Sequence, residues 1–397
     1  MRPHPARPGA PSLLVRLPRL TAQAREAWTG YLFLMPATIL IAAFGLVPVA
    51  FALVISLFDW RIKTGTFIGL DNYLELFGGP VNASGILFAV ALLGASLWWG
   101  RRADTGRWSR AAAFVGAAAA LAVLANSLAG MANVGDSEFL RSFQVTVWFS
   151  LGTVPVQLAL GLGLALLLRR KFRGRQGFRA LFVLPFVVPA VASAAVFERL
   201  FSLRAESFAN QVAGSLGLAP LQWLRESKGL FSMLWGVVSG GDAGSLAAYW
   251  STWLPGPSLG LVCIMIYNWW VYAGYYGLIF ANGLAAIPGQ VYEAAKLDGA
   301  GPWVTFRKIT LPLLSPVTYF LTLLGVIGTF KAFNSLYVLR DPSTGGATDP
   351  LSVFIFFVFF HQSRFGYAAA LSLVLLALVL LLTWAQRRFG ERHVFYE

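Results

Sequence analysis

Charge is what this sequence has least of. Only 12% of its 397 residues are Asp, Glu, Lys or Arg, against roughly a quarter in a soluble domain. There is one cysteine, Cys263, so no intrachain disulfide can form and no thiolate cluster can hold a metal. Lying inside an apolar run, it reads as a small buried hydrophobe. The three histidines are scattered, which excludes a His-based metal or acid–base centre, and His361 reads as a structural ring. Acids keep to the connecting segments. The apolar runs therefore lack the mid-membrane carboxylates that an ion-coupled transporter would use. The phosphate cradle G-x-x-x-x-G-K-[ST] is missing as well; the nearest glycine cluster, SGGDAGS at 239–245, has no lysine.

What is present is lipid-compatible chain. Hydrophobic residues make up 57%, and the mean hydropathy is +0.66. Apolar runs of about twenty residues recur, the length a helix needs to cross hydrocarbon, whereas a spanning barrel would show alternating ten-residue segments. The expectation is an all-α polytopic membrane protein with about eight spans, at 31–58, 83–99, 111–130, 142–168, 180–197, 258–285, 313–335 and 366–386. An even number puts both termini on one side.

The loops choose that side. Segments 1–30, 100–110, 169–179, 286–312 and 386–397 hold 21 Lys and Arg against 10 elsewhere, and 6 acids against 11. Basic loops resist translocation, so both termini are expected in the cytoplasm. The net charge of +14 is then a topology signal, and nucleic acid is not an expected partner. The run RRKFRGRQGFR at 169–179 reads as an anchor against anionic lipid. The Pro/Arg-rich segment 1–30 reads as a basic, disordered tail on the membrane surface.

One cytoplasmic stretch is out of character: IPGQVYEAAKLDGAGPWVTFRKITLPLLSP, 287–316. Pro288 stands where a first helical residue would, and Gly299 suits a left-handed stop. Val291, Ala294, Ala295 and Asp298 recur at i, i+3, i+4 and i+7, one face of a short helix. Pro302 opens a second helix with Trp303, Phe306 and Ile309 apolar. Two readings stay open on these grounds: a small-residue docking face, or a helical loop lying on the bilayer.

The spacing Glu293-Ala294-Ala295, Gly299, Ile309, Leu311-Pro312 resembles the EAA loop of binding-protein-dependent ABC importer permeases. GLDNYLELF at 69–77, FRALFVLPFVVPAVASAAVFERLF at 178–201 and FGYAAALSLVLLALVLLL at 365–382 are similar to the maltose-type carbohydrate branch. The resemblance implies a non-catalytic subunit of the bacterial or archaeal inner membrane, with no cofactor of its own. ATP and Mg would be bound by two separate ATPase subunits, with a second, different permease and an outer solute-binding protein as further partners. Glu293, Ala294, Ala295, Asp298, Gly299, Ile309, Leu311 and Pro312 would form the ATPase-coupling element.

Two regions depart from the family pattern. Segment 80–134 reads as an inserted two-span hairpin between the first span with its outer segment, 31–79, and the permease core, 135–390. The outer region 214–252 is longer than the family's. Candidate pathway residues are Asn268, Tyr272, Tyr275 and Asn282, then Lys331, Phe333, Asn334 and Tyr337, because polar and aromatic groups in spans face bundle interiors or cavities. Gln157 reads as an interhelical hydrogen bond, and 353–365 as a helix at the outer face. The rival classes are a secondary transporter or channel working without an ATPase, and a membrane-embedded enzyme.

Overall fold

The computed structural model describes residues 22–390 apart from 64, 103–106, 170–172, 216, 218 and 234–255. Most of the expected tail 1–30, the last residues 391–397, part of the basic run 169–179 and much of 214–252 therefore lie outside the described residues. The chain divides into two units, Met1–Val54 and Ile55–Glu397. The first carries α1 (Ala22–Ile41) and nearly all of α2 (Val47–Ile55), joined by a π-turn at Ala42–Leu46. Its apolar run, Glu26–Ile55, is 30 residues long.

The second unit opens with α3 (Asp71–Phe77), which has Asp71 in its first turn and stops at Gly78, φ +70°. Next come α4 (Pro80–Arg102) and α5 (Arg107–Val134), an antiparallel hairpin. The hairpin returns to its point of departure. A Cβ on Gly78 would sit 2.6 Å from the Gly135 nitrogen, and the Asp136 N–H donates to the Leu76 carbonyl at 3.4 Å.

Asp136 then caps α6 (Ser137–Arg169), its Oδ1 accepting from the N–H groups of Glu138 and Phe139. At 33 residues and 1.5 Å per residue, α6 is roughly 50 Å long.

Beyond α6 the helices are punctuated by prolines. α7 (Arg175–Val187) ends because Val188 precedes Pro189 and is held extended, and α8 (Ala190–Leu200) leaves at 94°. The single span expected at 180–197 is thus a broken pair, stopped by one X-Pro step inside an otherwise continuous apolar run. After α9 (Phe208–Ser215), the Ser258 hydroxyl accepts from the Leu261 N–H and caps α10 (Leu259–Ala286). α10 stops at Ile287, again the residue before a proline.

Pro288 is therefore the cap of α11 (Gly289–Leu297) rather than its first residue. α12 (Pro302–Thr305), a π-turn at Phe306–Thr310 and α13 (Leu311–Leu313) lead to α14 (Ser315–Phe330), bent by 62° from the segment before it. α14 ends at Phe330, so the span expected to reach residue 335 is shorter, and Lys331 to Phe333 form a break before α15 (Asn334–Leu339). α16 (Leu351–Phe360) and α17 (Phe365–Gly390) complete the chain. α16, in the segment expected as a helix at the outer face, buries Leu351, Val353, Phe354 and Val358 and leaves Phe359 and Phe360 exposed.

Among the described residues, five helices are long and apolar enough to span alone, or up to seven if each bent pair is one span. The expected count of eight is not reached by this measure. α10 has the length, 28 residues, but its Tyr, Trp and Asn residues set it apart from the apolar five.

Three buried clusters organise the second unit. One joins Val145 and Phe149 of α6 to Leu261, Ile264 and Tyr267 of α10, and to Leu336 and Val353. A second, around Leu76, Met131, Phe139, Leu351 and Leu371, gathers α3, α5, α6, α16 and α17. The third lies at the end carrying the 289–313 loop and joins Ala165 of α6, Tyr276, Phe280 and Leu284 of α10, and Leu314 and Leu321.

Candidate functional site

α6 and α10 pack backbone to backbone. A Cβ on Gly161 would come within 2.6 Å of the Tyr276 Cβ and 3.0 Å of its carbonyl carbon, and one on Gly277 would press Leu164. Polar bonds cross the same seam. The Gln157 amide donates to the Asn268 carbonyl at 3.1 Å, and the Trp269 indole to the Gly152 carbonyl at 3.1 Å. Asn268 itself donates to Ile264 one turn back. Among the described residues the side-chain oxygens of Gln157 and Asn268 accept nothing from the chain, so each buried amide keeps a free acceptor.

Beside this seam lies a cavity of about 470 Å³, within the size range of small-molecule sites. Gln157 and Asn268 line it, with Phe186 at the broken α7–α8 pair, Tyr272, Tyr275 and Tyr276 on α10, Thr329 at the end of α14, and Lys331 to Ser335 in the break and the start of α15. Phe186 stacks on Tyr275 with ring centroids 4.4 Å apart and meets Tyr272 edge-on at 5.6 Å. Lys331 is the charged residue of the lining, and among the described residues it forms no ion pair. The cavity therefore offers flat aromatic faces, amide acceptors and one cationic donor.

Of the candidate pathway residues, Asn268, Tyr272, Tyr275, Lys331, Phe333 and Asn334 come together here. Asn282 does not: it lies near the loop end of α10, where its Oδ1 accepts from Arg179 at 3.2 Å. Tyr337 stands behind the lining, its ring 5.2 Å from that of Phe333. Gln157 makes the expected interhelical bond and lines the cavity as well. Phe149, Phe186, Tyr276 and Thr329 were not among the candidates. Pro185 and Pro189, four residues apart in an apolar run, were the signal available for Phe186.

The 289–313 loop turns at Gly299, φ +74°, where a Cβ would meet nothing within 4 Å. The expected face of α11 divides: Ala295 is buried and Val291 half-buried against the chain, while Ala294 and Asp298 are exposed, as is Glu293 beside them. Beside them, Leu297 is 89% and Trp303 69% exposed, a bare apolar surface that the Ala-face reading passed over. Ile309 is half-buried in the π-turn, Leu311 lies at the edge of exposure, and Pro312 is inside α13. The loop is held to its own body at Tyr292. The Tyr292 hydroxyl pairs with Thr310 at 3.4 Å, and the Arg169 guanidinium lies 4.3 Å from its ring centroid.

The opposite end is tied by charge. Arg225 pairs with Asp341 at 2.7 Å, Arg340 with Asp349 at 3.2 Å, and Arg364 with Glu75 at 2.6 Å. Burial pushes the Asp349 carboxyl up despite Arg340 beside it. Burial would raise Asp341 too, but hydrogen bonds from Ser343 and Arg225 outweigh it and hold that carboxyl low. Arg340 also lies 4.0 Å from the Phe357 ring, and His361 stacks on the same ring at 4.6 Å.

Residues 157–393 match the family described as binding-protein-dependent transport system inner membrane component. The trehalose/maltose transport system permease protein MalF of Thermococcus litoralis is 31% identical over 254 residues, covering 64% of this chain and 75% of that one. The lactose transport system permease protein LacF of Rhizobium radiobacter is 27% identical over 363 residues, 90% of this chain and 92% of that one. A chain of a bacterial ABC transporter that imports the acidic polysaccharide alginate superposes with a TM-score of 0.63 at 16% identity, covering 94% and 98%. The fold is shared.

Proposed function

The chain belongs to the family of inner membrane components of binding-protein-dependent transport systems, and we propose that it is the permease subunit of an ATP-driven importer of a saccharide or polyol. The observation that carries this reading is the cavity's position. It lies where α10 and α14, the helices that flank the 289–313 loop, meet α6 and the broken α7–α8 pair. Movement of the loop therefore reaches the cavity walls directly.

The chemistry of the lining suits a sugar. A pyranose presents C–H faces that stack on rings such as Tyr275 and Phe333, and hydroxyls that bond to Gln157, Asn268 and Lys331. The cargoes named for the relatives, trehalose/maltose and lactose, support the same class.

On this reading the loop is cytoplasmic. Glu293, Ala294, Leu297 and Trp303 meet one of two ATPase subunits, Glu293 through a charge-assisted bond to a basic group. The ATP and Mg stay with those subunits. A second permease chain closes the cavity, and a solute-binding protein delivers cargo at the Arg225–Asp341 end. Rocking between discrete states alternates access to the cavity.

The test is uptake of radiolabelled mono- and disaccharides into proteoliposomes holding this chain with and without its ATPase. Uptake that requires both the ATPase and ATP is expected. Uptake by the chain alone would overturn the reading in favour of a secondary transporter or channel.

A further inference from the structure

α6 contributes to all three buried clusters, and Pro155 stands between its residues in the first and those in the third. Val145 and Phe149 pack into the cluster at the far end, whereas Leu158, Leu162, Ala165 and Leu166 pack into the one at the loop end. Proline has no N–H, so the carbonyl four residues back, Leu151, loses its helical partner and the helix can flex there. The cavity lies at this same level, lined by Phe149 and Gln157 on either side of the proline. The last residue of the lower arm, Arg169, lies about 18 Å further along the axis from Gln157. There its guanidinium sits over Tyr292 of α11, 123 residues away in sequence.

Tyr292 is placed to relay movement. It lies just past the cap Pro288, its hydroxyl meets the buried Thr310 on the returning arm of the loop, and its ring faces Arg169. α10 and α14 are joined to the loop through the chain itself; α6 is joined through this contact. Arg169 forms no ion pair among the described residues, and a guanidinium over an aromatic face is attracted by the ring quadrupole.

Resting on the importer reading above, we infer that Arg169 and Tyr292 form a transmission clamp. The clamp makes the lower arm of α6 move with the coupling helix, so that α6 bends at Pro155 and reshapes the cavity. Arg169 and Tyr292 are positioning residues, acting on the cavity through Gln157 and Phe149.

The test uses the complete complex in proteoliposomes, reading ATP hydrolysed per sugar taken up and confirming assembly by co-purification of the ATPase. Tyr292→Leu and Arg169→Gln are expected to assemble, to hydrolyse ATP, and to lower uptake per ATP by at least about fivefold, the low end of typical coupling between sites. Tyr292→Phe keeps the ring and is expected to behave as the unsubstituted chain. The double variant is expected to lose no more than either single one, since both break one contact. The exchanged pair, Arg169→Tyr with Tyr292→Arg, restores cation and ring and is expected to recover coupling, a result that decides the matter even where a single variant assembles poorly. Normal uptake per ATP in Tyr292→Leu, multiplying losses in the double variant, or no recovery in the exchanged pair overturns the clamp. A complex whose unsubstituted form shows no ATP-dependent uptake would instead overturn the importer reading beneath it.

Discussion

Two helix pairs in this chain, the antiparallel α4–α5 and the parallel α6–α10, are both rich in glycine, yet their glycines meet different things. In the hairpin the space beside Gly85, Gly116 and Gly130 is filled by the side chains of Ser127, Ser96 and Asn82. In the core, main chain comes close as well: Gly161 lies against the Tyr276 carbonyl carbon and the Gly277 nitrogen, and Gly274 of α10 against the Phe182 carbonyl of α7, while Gly152 and Gly277 meet the side chains of Met265 and Leu164. A serine can rotate away; a neighbouring helix cannot. The hairpin also turns a broad apolar surface outward, including Leu87, Phe88, Trp98, Trp99 and Phe114. The core pair opens instead onto a cavity. Interhelical hydrogen bonds in lipid average only ~0.6 kcal/mol, so the Gln157–Asn268 bond matters for placing an amide at the cavity more than for holding the helices. Close packing holds them.

That comparison can be broken by substitution, and the largest effect is expected at Gly161. Gly161→Leu forces α6 from α10 against main chain, an overpacking of about 3 kcal/mol. It should lower the thermal midpoint of the purified chain by several degrees and abolish uptake. Gly116→Leu, by contrast, should be absorbed by rotation of Ser96 and a local shift of the hairpin, leaving uptake near normal. Equal losses from the two substitutions, read by melting curves and uptake side by side, would erase the distinction.

A smaller effect on uptake is expected from removing the hairpin altogether. Gly78 and Gly135 already touch, so deletion of 80–134 leaves ends that can be joined without moving α3 or α6. The cost is the buried Met131 in the cluster around Leu76 and Leu351, roughly 2–5 kcal/mol by analogy with truncating a buried methionine. The deleted chain is expected to co-purify with its ATPase and to support uptake at somewhat reduced thermal stability. Complete failure to assemble would make the hairpin part of the core.

How much of this was legible in the sequence depended on the range of the interactions concerned. The 289–313 loop was readable because its determinants are local: a proline at each helix start, a glycine at the corner, fixed spacing between them. Its bare Leu297 was not, since exposure depends on what the rest of the chain covers. The cavity was half readable. Asn268, Tyr272 and Tyr275 announce themselves as polar groups in an apolar run, but periodicity gives the face of a helix and not the depth of a site. Asn282 lies about 21 Å along the axis from Asn268 and serves Arg179 instead. Phe186 was hidden because hydropathy runs straight through the Val188–Pro189 break, where the backbone turns by 94°. The Arg169–Tyr292 contact joins residues far apart in sequence, and no local pattern marks it.

The central claim, that an ATPase sits on the loop turned by Gly299, is tested most directly by Gly299→Asp. Aspartate tolerates the left-handed conformation better than most residues, and a side chain there would meet nothing within the chain. Loss of a bound subunit with insertion intact therefore reports a surface outside it, while the strain of an L residue at φ +74° would act on the loop itself. The measurement is ATPase retained on the purified, membrane-inserted variant, alongside uptake. The account predicts a chain that inserts normally, loses its ATPase and transports nothing; a variant that keeps its full complement of ATPase and its uptake would contradict it.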